Sequence, residues 1–124
     1  MKIIDIRHNH IKISFSRHER TTANNALNET CNGMHISNYE NIVGFTREKI
    51  RSLLINKFNY EIKEPGTYFI MDFTNEEVMI ITNSLNQTCK GLDVREFHTR
   101  TGAQLEEMQS LLEEFRRLLA QIKN

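Results

Sequence analysis

Leu27-Asn28-Glu29-Thr30-Cys31-Asn32-Gly33 returns, 58 residues further on, as Leu85-Asn86-Gln87-Thr88-Cys89-Lys90-Gly91. Outward from this pair the match runs on without a gap. Residues 11–56 laid on 69–114 share 13 identities in 46 positions, where chance gives about three. Phe15 meets Phe73, Tyr39 meets Phe97, Gly44 meets Gly102, and Ser52-Leu53-Leu54 meets Ser110-Leu111-Leu112. The pattern reads as a tandem duplication, with repeat 1 over 1–58 and repeat 2 over 59–124. A chain of 124 residues is one domain's worth. The two copies are therefore expected to share one core about a pseudo-twofold axis.

Within each copy the same order of elements is expected. A β-hairpin comes first. Lys2–Arg7 and Ile11–Phe15 flank His8-Asn9-His10, and Ile11, Ile13 and Phe15 alternate with Lys12 and Ser14 as a half-buried strand does. In copy two, Tyr60–Lys63 and Thr67–Phe73 flank Glu64-Pro65-Gly66, whose Pro-Gly suits the centre of a type II turn. A helix follows, capped by Ser16 or Thr74 with Glu19 or Glu77 in its first turn. Its apolar stripe is Ala23, Leu27, Cys31 and Met34 in copy one, and Val78, Ile81, Leu85, Cys89 and Leu92 in copy two. Gly33 and Gly91 are expected to end it in the left-handed conformation. A short segment closes at Gly44 or Gly102, and a last helix starts at Thr46 or Gln104. The fold class is α+β, a duplicated β-hairpin–helix–short helix–helix unit. The final helix is the longest, and its extra turns either pack internally or join a second copy as a homodimer.

Composition narrows the function. No run of 18 apolar residues is present to span a membrane. Asp5, Arg7 and His8 interrupt the apolar core that a signal peptide needs, which points to the cytoplasm. Cys31 and Cys89 hold equivalent places and are expected as free thiols rather than a disulfide. Net charge is zero but unevenly shared. Residues 1–58 carry nine Lys/Arg against five Asp/Glu, and 59–124 carry seven against eleven. Two surfaces with different jobs are implied.

Few constellations point to catalysis. There is no nucleophile elbow, phosphate loop or HExxH. His18 with Glu19, or Asp72 with Glu76 and Glu77, reads more simply as helix-start and strand-end chemistry, so no enzyme and no cofactor is expected. His8-x-His10 with His18 could grip a metal, but the pair sits at a turn and solvated histidines are the simpler account. Asn25/Asn83 and Asn28/Asn86 lie in helix interiors, where asparagine is a poor former. Their amides are expected to satisfy backbone groups of the segment that follows. The helix–glycine–helix order also resembles a helix-turn-helix. Arg47, Lys49, Arg51 and Lys57 would then contact nucleic acid, although the matching helix of copy two is acidic and phosphate would repel it. Divergence between the copies marks the preferred surface. Glu76, Glu77, Asp93, Glu96, Glu106 and Glu107 replace His18, Glu19, His35, Asn38, Glu48 and Lys49. Such a face suits a basic partner.

Leu85-Asn86-Gln87-x-Cys89-x-Gly91, then Glu96-Phe97-x-x-Arg100-x-Gly102, then Glu106-Glu107 before Leu111-Leu112, resembles small bacterial immunity proteins of contact-dependent growth inhibition and related polymorphic-toxin systems. The resemblance covers 73–115 well and 15–54 less well, since Ile42 stands where copy two has Arg100. It implies a small, non-catalytic α+β inhibitor whose acidic half covers the basic cleft of a cognate toxin, with a nuclease as the expected kind. No site residue is carried over from that family.

Overall fold

The computed structural model describes residues 1–58 and 68–122. It is an α+β structure, a three-stranded antiparallel sheet packed with helices. Strand β1 (Lys2–Arg7) and β2 (His10–Ser16) form the expected hairpin. Its tight turn places Asn9 at φ +54°, a left-handed position that asparagine tolerates well. β3 (Tyr68–Phe73) pairs with β2 in the register Ile11↔Phe73, Ile13↔Met71 and Phe15↔Phe69. The hairpin expected around Glu64-Pro65-Gly66 lies outside the described residues, apart from β3 itself.

Capping chemistry starts the first long helices of both halves. Ser16 opens α1 (Arg17–Asn28), its hydroxyl accepting from Glu19 N–H while the Glu19 carboxylate accepts from Ser16 N–H. Thr74 and Glu77 repeat this reciprocal box at α4 (Asn75–Gly91). α1 runs into a wider π-helical turn over Glu29–Gly33, whereas α4 stays α-helical throughout. The short helices are α2 (Tyr39–Val43) and α5 (Val94–Thr101). Then come α3 (Arg47–Leu53), extended by a π-helical turn over Leu54–Phe58, and α6 (Leu105–Ile122).

One hydrophobic cluster draws on both halves. Ile11, Ile13 and Phe15 supply the buried side of β2, and Leu27, Ile81 and Leu85 come from α1 and α4. Phe15 stacks on Phe115 of α6 with centroids 6.2 Å apart and meets Phe73 edge-on at 6.1 Å. The extra length of α6 is thus used internally, with Met108, Leu111, Leu112, Phe115 and Leu118 all buried.

Two glycine expectations need correcting. Gly33 and Gly91 are not left-handed; Gly44 (φ +91°) and Gly102 (φ +73°) are, and they close α2 and α5. Gly33 and Gly91 instead mark close approaches. A Cβ at Gly91 would stand 2.7 Å from Met34 Sδ, and one at Gly33 only 2.0 Å from Glu29 Oε2.

The asparagines also act differently from expectation. Asn25 Nδ2 donates to Thr101 O (2.6 Å) and Asn83 Nδ2 to Val43 O (2.8 Å). Each reaches the short helix of the opposite half, not the segment that follows in its own half. Among the described residues, Asn28 and Asn86 bond side chains instead of backbone: Asn28 accepts from Asn32 and Asn86 from Arg116. A second exchange lies deeper. Thr30 Oγ1 donates to Ser84 O at 3.3 Å; Thr88 Oγ1 stands 3.3 Å from Ala26 O but has a nearer acceptor in Ser84 O of its own helix at 2.8 Å, and the two hydroxyls are 3.5 Å apart. Moving the donor 58 residues forward and the acceptor 58 back converts the first contact of each pair into the second.

Thr101 and Val43 are buried, so removing either amide strands a carbonyl away from water. Asn25→Ala and Asn83→Ala should each cost about 1–3 kcal/mol in urea denaturation, the expected penalty for an orphaned buried acceptor. Asn28→Ala, made on an exposed pair, should cost less.

Candidate functional site

The six acidic positions fall in three places rather than on one face. Glu76 and Glu77, in the first turn of α4, line a groove against α3 together with Lys49, Ser52, Leu53 and Lys57. There they are already engaged. Lys49 Nζ lies 3.1 Å from Glu76, and Lys57 Nζ lies 2.6 Å from both Glu77 and Asp72 O. Asp93 caps α5, accepting from Arg95 N–H at 2.8 Å, and Glu96 follows on its exposed surface. Glu106 and Glu107 begin α6. Glu107 lines a second groove, against α1, with His18, Glu19, Ser110 and Glu114.

That second groove is the acidic one. Glu107 Oε2 sits 2.5 Å from His18 Nε2, and its other oxygen accepts from Gln104 N–H. Its carboxyl is held below the ordinary glutamate range, first by that backbone hydrogen bond and then, against slight desolvation, by His18 and His98. Glu19 beside it contacts the amino group of Met1. Burial opposes ionisation of Glu19, but hydrogen bonds from Met1 and from Ser16 outweigh it and lower its pKa.

The basic set is largely consumed by structure. Arg47 stacks over the Tyr39 ring at 4.1 Å and donates to Cys31 O at 2.5 Å. Tyr39 in turn donates to Thr30 O, and burial, only partly opposed by Arg47, pushes its phenol up to about 12. With Lys49 and Lys57 paired as above, Arg51 is the one of the four without a hydrogen bond or ion pair among the described residues, and it is exposed.

The histidines form no ligand set: His10 pairs with Asp72 at 3.1 Å, and among the described residues no three His, Cys, Asp or Glu side chains gather as a metal site would require. Cys31 and Cys89 are free thiols. Cys89 is half-buried, and burial raises it to about 11 against the opposing charge of Arg116, far from a reactive thiolate. A larger depression than either groove lies elsewhere, on the outer sheet surface between Lys2, Ser14, Tyr68 and Ile70.

One contact went unread in the sequence. Arg100 Nη2 donates to Glu29 Oε2 (2.5 Å) and to Gly33 O (2.8 Å), and Glu29 is only 7% exposed. At the matching place Gln87 donates to Ile42 O at 3.4 Å. The signal was a double difference between positions 58 residues apart: Glu29 and Arg100 carry charge together, where Gln87 and Ile42 lack it together. Compared with known protein families, curated proteins and solved structures, the chain matches none. No helix among the described residues is long and apolar enough to cross a membrane.

Arg100→Ala leaves a buried carboxylate unpaired and should cost roughly 3 kcal/mol, while Glu29→Gln with Arg100→Ala should recover much of it in the same thermal or urea assay. Glu19 supplies a pH test. Because its folded pKa is lowered, its stabilisation is present above the ordinary glutamate range and is lost as pH falls through the lowered value. Glu19→Gln should therefore lose less stability than the parent on acidification from neutral to about pH 3.

Proposed function

We propose that this chain is a non-catalytic binding protein of the immunity or antitoxin kind, acting in the cytoplasm on a cognate bacterial toxin. We further propose that it arose as two equivalent half-units fused about a pseudo-twofold axis. The observation that carries the functional reading is the divergence of charge at matched positions. α6 bears Glu106, Glu107, Glu113 and Glu114 where the first half has Glu48, Lys49, Ile55 and Asn56. A toxin that handles nucleic acid carries a basic cleft, and an acidic helix is its electrostatic complement. The duplication is supported by the exchanged Asn25 and Asn83 hydrogen bonds and by the matched approaches of Thr30 to Ser84 O and of Thr88 to Ala26 O.

Packing narrows which acids serve this contact. Glu76 and Glu77 hold Lys49 and Lys57, and Glu107 holds His18, so the reading centres on Asp93, Glu96 and Glu106 along α5 and the start of α6. The nucleic-acid alternative has less support, since three of its four cations are bound within the chain. A homodimer through α6 has less support too, because the apolar stripe of that helix is covered internally.

The test is co-expression with the product of the adjacent open reading frame, followed by calorimetry. Asp93→Asn, which keeps the helix cap, combined with Glu96→Lys and Glu106→Lys should weaken binding at least about tenfold, or 1.4 kcal/mol, at unchanged helicity. Glu76→Lys with Glu77→Lys should lower the melting temperature while altering affinity little. An unchanged Kd in the triple variant would remove the acidic contact. Salt-sensitive binding to duplex DNA by the isolated protein would favour the alternative.

A further inference from the structure

The π-helical turn that follows α1 and the last turn of α4 end on matched glycines, and such ends leave carbonyls that no helical N–H reaches. After α1, three of them are taken up from three other helices. The Tyr39 hydroxyl of α2 donates to Thr30 O at 2.7 Å, Arg47 of α3 to Cys31 O at 2.5 Å, and Arg100 of α5 to Gly33 O at 2.8 Å. Two of these donors are cations, which a helix C-terminus favours. Moved by 58 residues, the acceptors become Thr88, Cys89 and Gly91, and the donors become Phe97, Leu105 and Ile42. None of those three side chains has a polar hydrogen to give. Among the described residues, no side chain donates to the Thr88, Cys89 or Gly91 carbonyl.

What the end of α4 keeps is the pair of acceptors. Arg100 Nη2 bridges Gly33 O and Glu29 Oε2. The matching acceptors are Gly91 O and Gln87, whose Nε2 turns to Ile42 O at 3.4 Å and leaves Oε1 to accept. Gly91 is exposed and Gln87 half-buried. Ile42, in the place of Arg100, is 52% exposed and offers apolar surface to a methylene stem. Met34 leans on Gly91, its Sδ 2.7 Å from where a Cβ would stand, and a thioether there is readily displaced.

We infer that the end of α4 is a docking point for one arginine side chain of a basic partner protein, its guanidinium bridging Gly91 O and Gln87 Oε1. The chain fills the equivalent place after α1 with its own Arg100. This inference rests on the reading of the partner as basic, and adds where its cation is held. The cations already nearby do not fill the place: Lys90 is exposed in the last turn of α4, and Arg95 reaches Asp93 at 3.5 Å. Exposed Glu96, in the first turn of α5, adds negative charge just beyond the carbonyls. A planar guanidinium donates along a fixed fork to two acceptors at once, so arginine is preferred to lysine.

Titration of isotope-labelled protein with the blocked tripeptide acetyl-Gly-Arg-Gly-amide, read on carbonyl carbon shifts, tests this directly. Cys89–Gly91 should respond and saturate, while Cys31–Gly33, already bonded, should stay still. The same peptide with neutral citrulline should bind at least about tenfold more weakly, since the hydrogen bonds lose their charge. Ile42→Arg, which supplies the cation from within, should abolish the response at unchanged far-ultraviolet circular dichroism, and Met34→Ala should strengthen it. Three results would each overturn the inference: no saturable shift at Cys89–Gly91, an equal response at both helix ends, or equal affinity for the citrulline peptide. No toxin enters this titration, so its failure is separate from a failure of the toxin reading, which co-expression decides.

Discussion

Two peptide carbonyls, Val43 O and Thr101 O, sit at the ends of short helices where no helical N–H can reach them, and both are buried. Among the described residues, their only side-chain donors come from across the molecule, from Asn83 and Asn25. This is the constraint on which the rest depends. A buried acceptor without a donor is expensive, so α2 must lie against α4 and α5 against α1. That docking brings α1 and α4 together, where Thr30 and Thr88 meet, and sets the helices over the buried side of the sheet. Gly44 and Gly102 serve the same corners. Their left-handed turns let the chain leave each short helix directly beneath an asparagine amide.

Much of this was legible in the sequence, for reasons that are local. Alternation at Ile11, Ile13 and Phe15 dictates a strand with one buried side, and Ser16/Glu19 and Thr74/Glu77 announce helix starts through bonds only three residues long. Helix-interior asparagine signalled an amide bound to backbone, and that reading holds for Asn25 and Asn83. The destination was not legible, because a bond spanning 76 residues leaves no trace in local spacing. Gly33 and Gly91 were misread for a related cause. A glycine retained for close approach to Glu29 or Met34 looks, in one dimension, like a glycine retained for its φ.

The acidic positions show the same limit at the level of the candidate site. Listed by residue type, Glu76 and Glu77 belong with Asp93, Glu96, Glu106 and Glu107. In space, Lys49 and Lys57 fold onto the first two, and these lysines belonged to the competing basic set. Two of the six acids thus cancel two of the four cations. Glu96 and Glu106, on α5 and at the start of α6, are left without such a partner among the described residues, near the pair in which Arg100 of α5 reaches the buried Glu29 at the end of α1.

The crossed asparagines carry a consequence for how the chain is divided. Severed between the halves, each fragment would keep an amide with nothing to hold and a carbonyl with nothing to hold it. Those two deficiencies are reciprocal, so each piece is the missing template for the other. Two separately made polypeptides would have a strong reason to find one another and reassemble, and neither would have much reason to fold in isolation.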